Sequence, residues 1–234
     1  MNPILTINSL RKNYLLKPAL TNVTMDLQPG RILGLMGPNG SGKTTLLKIL
    51  SGLLQPSGGT FSIDGSSNTR DIKAAVSFLA DRNTLYAWMK AEDAILYYAD
   101  FFQDFDKAKA YEMLTFMKLE KGQRVKTMSK GMLEKLHLVL AFSRNAKVFL
   151  MDEPLAGVDP VAREKIVSTI IKTWSENSSI IISTHLVTDI EPILNDIAFL
   201  HKGEIILSGD AEDLRVSRGK SIHQIYLDVF AESF

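Results

Sequence analysis

The sequence predicts an α/β fold with a mainly parallel sheet, an N-terminal antiparallel β region and an inserted α-helical region. Three observations support this prediction. Segments near the N-terminus alternate between apolar and polar residues, short aliphatic runs recur along the chain, and residues 84–146 carry apolar residues at helical spacing. Alternation is typical of strands with one exposed face, aliphatic runs suit strands covered on both faces, and a 3.6-residue period indicates helices.

The first elements are two half-buried strands. ILTINSL (4–10) and ALTNVTMDL (19–27) alternate in the way expected of antiparallel strands, and QPG then predicts a turn. The run RILGLM (31–36) is apolar after its first residue and leads directly into GPNGSGKT (37–44). It is therefore predicted to be a buried strand that ends in a glycine-rich loop.

Two later aliphatic runs also end in polar residues. KVFLM (147–151) is followed by Asp152 and Glu153, and SIIIS (179–183) is followed closely by His185. Ligands bind beyond the carboxyl ends of the strands in open α/β sheets. We therefore expect the three strand ends to form one site.

The glycine-rich loop matches the pattern G-x-x-x-x-G-K-[ST] and precedes a predicted helix, KTTLLKILSGL. Backbone N–H groups of such a loop curl around phosphate, and the helix N-terminus adds a favourable dipole. Lys43 is expected to reach the β- and γ-phosphates, and Thr44 to place its hydroxyl on Mg²⁺. A glycine-rich turn without a ligand is the alternative. The residues predicted to contact nucleotide are Gly37, Pro38, Asn39, Gly40, Ser41, Gly42, Lys43, Thr44 and Thr45.

The acidic pair at the second strand end suits metal-assisted phosphoryl transfer. Asp152 is expected to hold Mg²⁺, directly or through water, and Glu153 to polarise the attacking water. A solvated acidic pair at a surface turn is the alternative. His185 is expected near the γ-phosphate or the water, because its strand end converges with the other two. The histidines expected to be structural are His137, His201 and His223.

Composition narrows the classes of partner. The 234 residues are 45% hydrophobic and 23% charged, with a formal net charge of +1 and no cysteine. These values indicate a globular domain, exclude disulfides and thiolate metal sites, and give no electrostatic reason to expect nucleic acid. MNPILTINSLRKNY lacks the apolar run of a signal peptide, and no run approaches the roughly 18 apolar residues of a spanning helix. A soluble, cytoplasmic domain that reaches membranes only through a partner is expected.

GPNGSGKT, MSKGM, VFLMDEP, LAGVDP and STH occur in this order between Tyr14 and about Leu214, and together they resemble the ATP-binding subunits of ABC transporters. The resemblance implies a P-loop NTPase with a RecA-like core, at about 1–83 and 147–215, and a helical subdomain at about 84–146. A helical tail, 216–234, is expected to follow.

The resemblance also implies a function. It predicts a motor that hydrolyses ATP with Mg²⁺ and dimerises on Mg-ATP. The motor is expected to lie at the cytoplasmic face of the membrane and to drive transport, with export favoured, through separate transmembrane permease subunits. The SKGM form resembles a branch of antibiotic exporters of Gram-positive bacteria. A homodimer and a heterodimer with a second ATP-binding subunit both remain open. The main alternative is a soluble ABC-type ATPase acting on ribosomes or DNA, although one cassette with a short insertion suits it less well. The chain contains no guanine-reading N-K-x-D motif.

By the same resemblance, Ser129, Lys130 and Gly131 bind the γ-phosphate of ATP held by the phosphate loop of the opposite subunit. Ser129 is also expected to cap a helix at 132–143. Asp159 is expected to communicate across the dimer and to cap the next helix, with proline at the first helical position.

Three further expectations follow from the resemblance. Tyr14 takes the position of the aromatic residue that stacks on adenine. Asp81 replaces the usual glutamine and is expected to contact Mg²⁺, which carboxylate oxygens can ligate. A cleft near Asp81 to Met89 is expected to receive a coupling helix, with Tyr86, Trp88 and Met89 either exposed or in the core.

In the tail, an apolar stripe is expected to pack on the core or to support the dimer; its members are Ile225, Leu227 and Phe230.

Overall fold

The computed structural model describes residues 2–231, which form one nine-stranded sheet flanked by helices. The strands are β1 Leu5–Tyr14, β2 Lys17–Leu27, β3 Ile32–Met36, β4 Gly58–Ile63, β5 Val76–Leu79, β6 Val148–Asp152, β7 Ser179–Thr184, β8 Asp196–His201 and β9 Glu204–Asp210. The helices are α1 Lys43–Leu50, α2 Thr69–Ala75, α3 Ala91–Phe101, α4 Lys107–Phe116, α5 Lys130–Phe142, α6 Pro160–Thr173, α7 Val187–Ile190, α8 Ala211–Arg218 and α9 Ile222–Phe230. Short 3-10 turns lie at Val125–Thr127 and Glu191–Ile193.

The sheet order is β4-β1-β2-β9-β8-β3-β7-β6-β5. β1 pairs antiparallel with β2 and β4, whereas β8, β3, β7, β6 and β5 are parallel to one another. β9 joins the two regions, parallel to β2 and antiparallel to β8. The predicted fold class, a mainly parallel sheet with an N-terminal antiparallel region, is confirmed.

The parallel strands are mainly apolar because each faces two cores. In β7, Ile180 and Ile182 pack into a core shared with α5 and α6, while Ile181 packs into a second core with α1 and the antiparallel strands. Successive side chains of a strand point to opposite faces. A strand covered on both faces therefore cannot alternate between apolar and polar residues.

The helices α3, α4 and α5 lie between β5 and β6, as predicted for the inserted region. Arg144 attaches the end of this region to the sheet, since its guanidinium donates to the carbonyls of Val76, at 2.7 Å, and Ala74, at 2.9 Å, and to Asp104 Oδ1 at 3.0 Å. The predicted start of α5 at residue 132 was wrong. The helix begins two residues earlier because Ser129 is its N-cap.

The predicted C-terminal boundary falls inside a helix. The predicted division after residue 215 cuts through α8, which continues to Arg218. α9 packs on the core through Ile222, Ile225 and Phe230, but Leu227 is 53% exposed and does not belong to the buried stripe, because it lies on the opposite side of the helix. Residues 232–234 of the predicted tail lie outside the described residues. No helix within 2–231 combines the length and apolar character needed to span a bilayer.

Candidate functional site

The three predicted strand ends lie side by side. β7 is flanked by β3 and β6, with Met36 opposite Thr184 and Asp152 opposite Ser183. All three strands run in the same direction, so the loops that follow them emerge at one edge of the sheet. The prediction that these ends meet is confirmed.

Two glycines allow the phosphate loop to lie against its neighbours. A Cβ at Gly37 would clash with the carbonyl oxygen of Leu200 in β8. Gly42 has a φ of +113°, and its Cβ would lie 2.6 Å from the carbonyl oxygen of Ala19. Only glycine meets both conditions without strain. The loop is thereby held at the edge of the sheet, immediately before α1.

The loop has the properties of an anion site. Ser41 is buried, and its hydroxyl has no hydrogen-bond partner among the described residues. Lys43 is also buried and donates to the carbonyl oxygens of Gly37, at 2.8 Å, and Pro38, at 3.3 Å. Burial lowers the pKa of Lys43, and the negative charge of Glu153 opposes that shift. An unpaired hydroxyl, a desolvated ammonium and the start of a helix together fit a phosphate group.

Glu153 connects the three strand ends. Its backbone has a φ of +51°, and its N–H donates to Ser183, to the carbonyl oxygen at 3.0 Å and to Oγ at 3.1 Å. Its Oε1 lies 3.6 Å from Lys43 Nζ, and its Oε2 lies 2.9 Å from His185 Nδ1. A positive φ is uncommon for glutamate and often marks functional positions. The carboxylate is held between the phosphate-loop lysine and the histidine.

Asp152 is fixed by a residue that sequence reasoning missed. It is almost fully buried, and Ser183 Oγ donates to its Oδ1 at 2.6 Å. The available signal was a serine at the end of an otherwise aliphatic strand. Within residues 2–231 no group of three or more His, Cys, Asp or Glu side chains could hold a metal ion. A Mg²⁺ ion held by Thr44 and Asp152 would therefore need further oxygen ligands from a nucleotide and water. The exposed Thr44 hydroxyl and the carboxylate of Asp152 suit that ion chemically.

The turn before α5, which contains Ser129 and Lys130, contacts parts of the chain other than the phosphate loop in the described residues. Ser129 is exposed, and its Oγ accepts from the N–H of Met132 at 3.2 Å, as predicted for a cap. Lys130 lies over Gly157, where a Cβ would come within 2.5 Å of Nζ. Across the described part of the chain, no hydrogen bond or ion pair joins Ser129 or Lys130 to the phosphate loop. The roles predicted for Ser129, Lys130 and Gly131 toward ATP therefore stay predictions.

Three other predicted residues have surroundings consistent with their roles. Asp159 caps α6, with its Oδ1 accepting from Ala162 N–H at 3.0 Å. Tyr14 ends β1 and is 47% exposed, with Lys12 Nζ 5.6 Å from its ring centroid. Asp81 is exposed just beyond β5. Contact of these residues with a partner, adenine or Mg²⁺ stays a prediction.

A groove lies between β5 and the helices α3 and α5. It encloses a cavity of about 570 Å³ lined by Phe78, Leu79, Tyr98 and Phe102, together with charged residues. Tyr86 and Trp88, which follow the lining residue Thr84 in the sequence, are exposed, and their rings stack with centroids 5.9 Å apart. Of the two alternatives left open for these residues, Met89 takes the core position, because its side chain is buried.

Two titratable groups of α5 were not singled out as site residues from the sequence. Burial raises the pKa of Glu134 to about 7, with Asp81 raising it further and Lys130 opposing. Burial lowers the pKa of His137 to about 4, so its ring is neutral at pH 7. His137 contacts Asn83 Oδ1 through Nε2 at 3.2 Å, but its Nδ1 has no hydrogen-bond partner within residues 2–231. The prediction of a satisfied structural histidine was therefore right about burial and wrong about hydrogen bonding.

Sequence comparison identifies relatives over most of the chain. The family model described as ABC transporter matches residues 20–156. An uncharacterized ABC transporter ATP-binding protein of Synechocystis is 30% identical over 84% of this chain and 58% of its own length. YxlF of Bacillus subtilis, also described as an uncharacterized ABC transporter ATP-binding protein, is 30% identical over 91% of this chain and 72% of its own length. The lantibiotic transport ATP-binding protein SrtF of Streptococcus pyogenes is 29% identical over 87% of this chain and 90% of its own length. The chain spans about three fifths of the length of the first two relatives, at 58% and 61%.

Structural comparison supports the same assignment of fold. An ATP-binding subunit of an ABC transporter superposes with a TM-score of 0.86 at 24% identity, over 96% of this chain and 98% of that chain. The dimeric form of the bacterial ABC transporter cassette MJ0796 superposes with a TM-score of 0.79 at 21% identity, over 88% of this chain and 98% of that chain. At these identities the likeness concerns the fold. Together with the family model and the 30% identical relatives, it shows that the chain belongs to the ABC transporter family.

Proposed function

We propose that the chain is the ATP-hydrolysing motor subunit of a transporter. The observation that carries this proposal is the position of the Glu153 carboxylate, between Lys43 at 3.6 Å and His185 at 2.9 Å, at the edge of a loop suited to phosphate. A carboxylate held there can orient a water molecule and accept its proton as the water attacks the γ-phosphate.

The other residues share the work of charge stabilisation and positioning. Lys43 places a desolvated positive charge beside the phosphates, where electrostatic interactions are stronger than in water. His185 holds the Glu153 carboxylate through Oε2. Thr44 and Asp152 would hold Mg²⁺, which neutralises phosphate charge when bound. Ser183 fixes Asp152 so that its second carboxylate oxygen remains available.

The active species in this proposal is a dimer, formed with a second copy or with another ATP-binding subunit. The exposed Ser129 turn makes no contact with the phosphate loop of its own chain in the described residues, although it offers a hydroxyl and the N-terminus of a 13-residue helix. Such a helix start suits an anion supplied by another subunit. The structure of MJ0796 described as dimeric supports the arrangement.

The remaining parts of the proposal concern the membrane. We propose that the groove receives a cytoplasmic segment of a transmembrane permease, which places the chain at the cytoplasmic face of the membrane. The exposed aromatic pair Tyr86 and Trp88 supports a docking surface there. We propose export as the direction, and the relative named for lantibiotic transport supports an antimicrobial peptide as the class of cargo.

The division into a core at about 1–83 and 147–215 and a helical subdomain at about 84–146 belongs to the same proposal.

The test is a pull-down of tagged Glu153→Gln protein with Mg-ATP from detergent-solubilised native cells, with the co-purifying chains identified by mass spectrometry. A polytopic membrane protein in stoichiometric yield would support the motor function and identify the permease. Ribosomal or DNA-repair proteins without a membrane partner would overturn the transport role and favour the soluble alternative. The matched control is the Lys43→Ala, Glu153→Gln double variant, which should lose the ATP-dependent part of the recovery.

A further inference from the structure

Glu191 connects the segment that follows His185 to the C-terminal helices. It comes directly after α7, and its N–H donates to the carbonyl oxygen of Val187, which closes the single turn of that helix. Its own carbonyl oxygen accepts from Arg215 Nη2 of α8 at 2.9 Å. The backbone of Glu191 therefore ends α7 and joins it to α8.

The side chain of Glu191 caps α9. Its Oε1 accepts from the N–H of Ile222 at 2.7 Å, and its Oε2 accepts from the N–H of His223 at 3.2 Å. These are the first two residues of α9, whose N–H groups have no partner within the helix, and negative charge is favoured at a helix N-terminus. The side chain is only 16% exposed, with Arg215 Nε 3.4 Å from Oε1. A carboxylate from a distant part of the chain thus holds the start of α9.

α9 packs beside the strands that carry the proposed site. Tyr226 of α9 lies against Phe199 of β8, with the ring centroids 5.5 Å apart, and Phe199 pairs with Met36, the residue before the phosphate loop. Burial raises the pKa of Tyr226, and the negative charge of Glu153 raises it further. The C-terminal helix is therefore near the proposed water-activating carboxylate.

α7 needs support from outside because it is only four residues long. A single helical turn is unstable in isolation, so tertiary contacts decide its conformation. Val187 and Ile190 pack in the same core as α9, and Asp189 accepts from Arg163 Nη1 at 2.9 Å, which ties α7 to α6. Loss of the Glu191 side chain should therefore loosen α7 without releasing it.

We propose that Glu191 is a positioning residue for His185. By joining α7 to the C-terminal helices, it fixes the backbone from which His185 Nδ1 reaches Glu153 Oε2 at 2.9 Å. The helices α8 and α9 thereby support the pair formed by His185 and Glu153. The role of Glu191 in hydrolysis rests on the proposed function, whereas the connection between α7 and the C-terminal helices does not.

A second cap on the same helix separates positioning from stability. Ser221 Oγ accepts from the N–H of Gln224 at 3.2 Å, and in the described residues Ser221 makes no hydrogen bond to α7. Glu191→Ala and Ser221→Ala should therefore both weaken the start of α9, but only Glu191→Ala also loosens α7. Glu191→Gln keeps the length of the side chain and one acceptor oxygen, so its effects should lie between those of the parent and Glu191→Ala.

Hydrogen–deuterium exchange of the nucleotide-free proteins tests the connection. Backbone amides of residues 186–194 should exchange about fivefold faster in Glu191→Ala and within about twofold of the parent in Ser221→Ala. Unchanged exchange of these amides in Glu191→Ala, or an equal rise in Ser221→Ala, would overturn the proposal. If Glu191→Ala does not fold, the same comparison with Glu191→Gln decides. This measurement needs no ATP hydrolysis, so it is independent of the proposed function.

Steady-state hydrolysis of Mg-ATP by the same proteins tests the positioning of His185. Glu191→Ala should lower kcat about fivefold with KM for ATP within about twofold, because the phosphate loop is unchanged, whereas Ser221→Ala should keep kcat within about twofold of the parent. A Glu191→Ala protein with the parental kcat, a raised KM alone, or an equal fall in Ser221→Ala would overturn the positioning role. A parent chain that hydrolyses no ATP would overturn both this role and the proposed function, while the exchange result would still decide whether Glu191 joins α7 to the C-terminal helices.

Discussion

We expect the hydroxyl of Ser183 to be the most important of the hydrogen-bonding groups that support the proposed nucleotide site without contacting the nucleotide. It donates to Asp152 Oδ1 at 2.6 Å and accepts from the N–H of Glu153 at 3.1 Å, and the residue is fully buried. Ser183→Ala removes both bonds without changing the backbone. It leaves one oxygen of a buried carboxylate without its donor, next to a residue held at positive φ.

The structure contains a matched control on the same strand. Ser179 is also fully buried, but its Oγ donates to a neutral acceptor, the carbonyl oxygen of Gln28, at 3.2 Å. Loss of a hydrogen bond to a charged group costs about 1.5–3 kcal/mol, and loss of a neutral one about 0.5–1.5 kcal/mol. We therefore expect Ser183→Ala to lower the free energy of unfolding by about 2–3 kcal/mol and Ser179→Ala by about 1 kcal/mol.

Urea unfolding of both variants measures these differences, and the Mg²⁺ concentration for half-maximal ATP hydrolysis provides a functional assay. Ser183→Ala should raise that concentration severalfold, because Asp152 is no longer fixed, whereas Ser179→Ala should leave it unchanged. Equal destabilisation by the two substitutions, together with an unchanged Mg²⁺ requirement, would refute the reasoning that Ser183 holds the metal-binding carboxylate.

Three further predictions use other parts of the chain. Burial raises the pKa of Glu134 from 4.5 to about 7, so between these pH values the folded state retains a proton that the unfolded state releases, and the free energy of unfolding should fall by on the order of 3 kcal/mol relative to that of Glu134→Gln. Urea unfolding at pH 5 and 7.5 measures this, and an equal change in the free energy of unfolding of the two proteins would contradict it. Arg82 lines the groove, so Arg82→Glu should reduce recovery of the membrane partner in the pull-down at least fivefold, while Lys107→Glu, a surface control on α4, should not reduce it. Equal losses in the two variants would argue against docking in the groove. Tyr14→Ala should weaken ATP binding about tenfold by calorimetry through loss of stacking, but leave tripolyphosphate binding unchanged, and a loss for both ligands would exclude an adenine contact.

The sheet was predictable because its hydrophobic pattern follows directly from where each strand lies. Aliphatic runs such as Ser179–Thr184 became central parallel strands, and alternating segments became the antiparallel region. The boundaries were less predictable. α5 begins at Lys130 because a hydroxyl caps it, and α8 continues past residue 215 to Arg218, since local caps and not periodicity decide where helices begin and end.

In the candidate site, too, the residues that belong to sequence patterns were predictable, whereas the contacts that depend on tertiary packing were not. Lys43, Asp152, Glu153 and His185 belong to sequence patterns, and topology brings their segments to one edge. The contacts between segments distant in sequence could not be predicted. The Ser183 bond to the carboxylate depends on the register of two neighbouring strands. Likewise, Lys130 and Gly157 meet only through the packing of α5 on α6.

The most direct test of the account is the rate of ATP hydrolysis by the purified chain, or by the chain with its co-purified partners, compared with its Glu153→Gln variant. Removing the charge of Glu153 removes the group that accepts a proton from water, and leaves Lys43 and the phosphate loop in place. We predict that the parent hydrolyses Mg-ATP, and that the variant binds ATP, loses at least a hundredfold in kcat and remains as an ATP-dependent dimer. A variant that hydrolyses ATP at the parental rate would contradict the central claim that Glu153 activates water in this site.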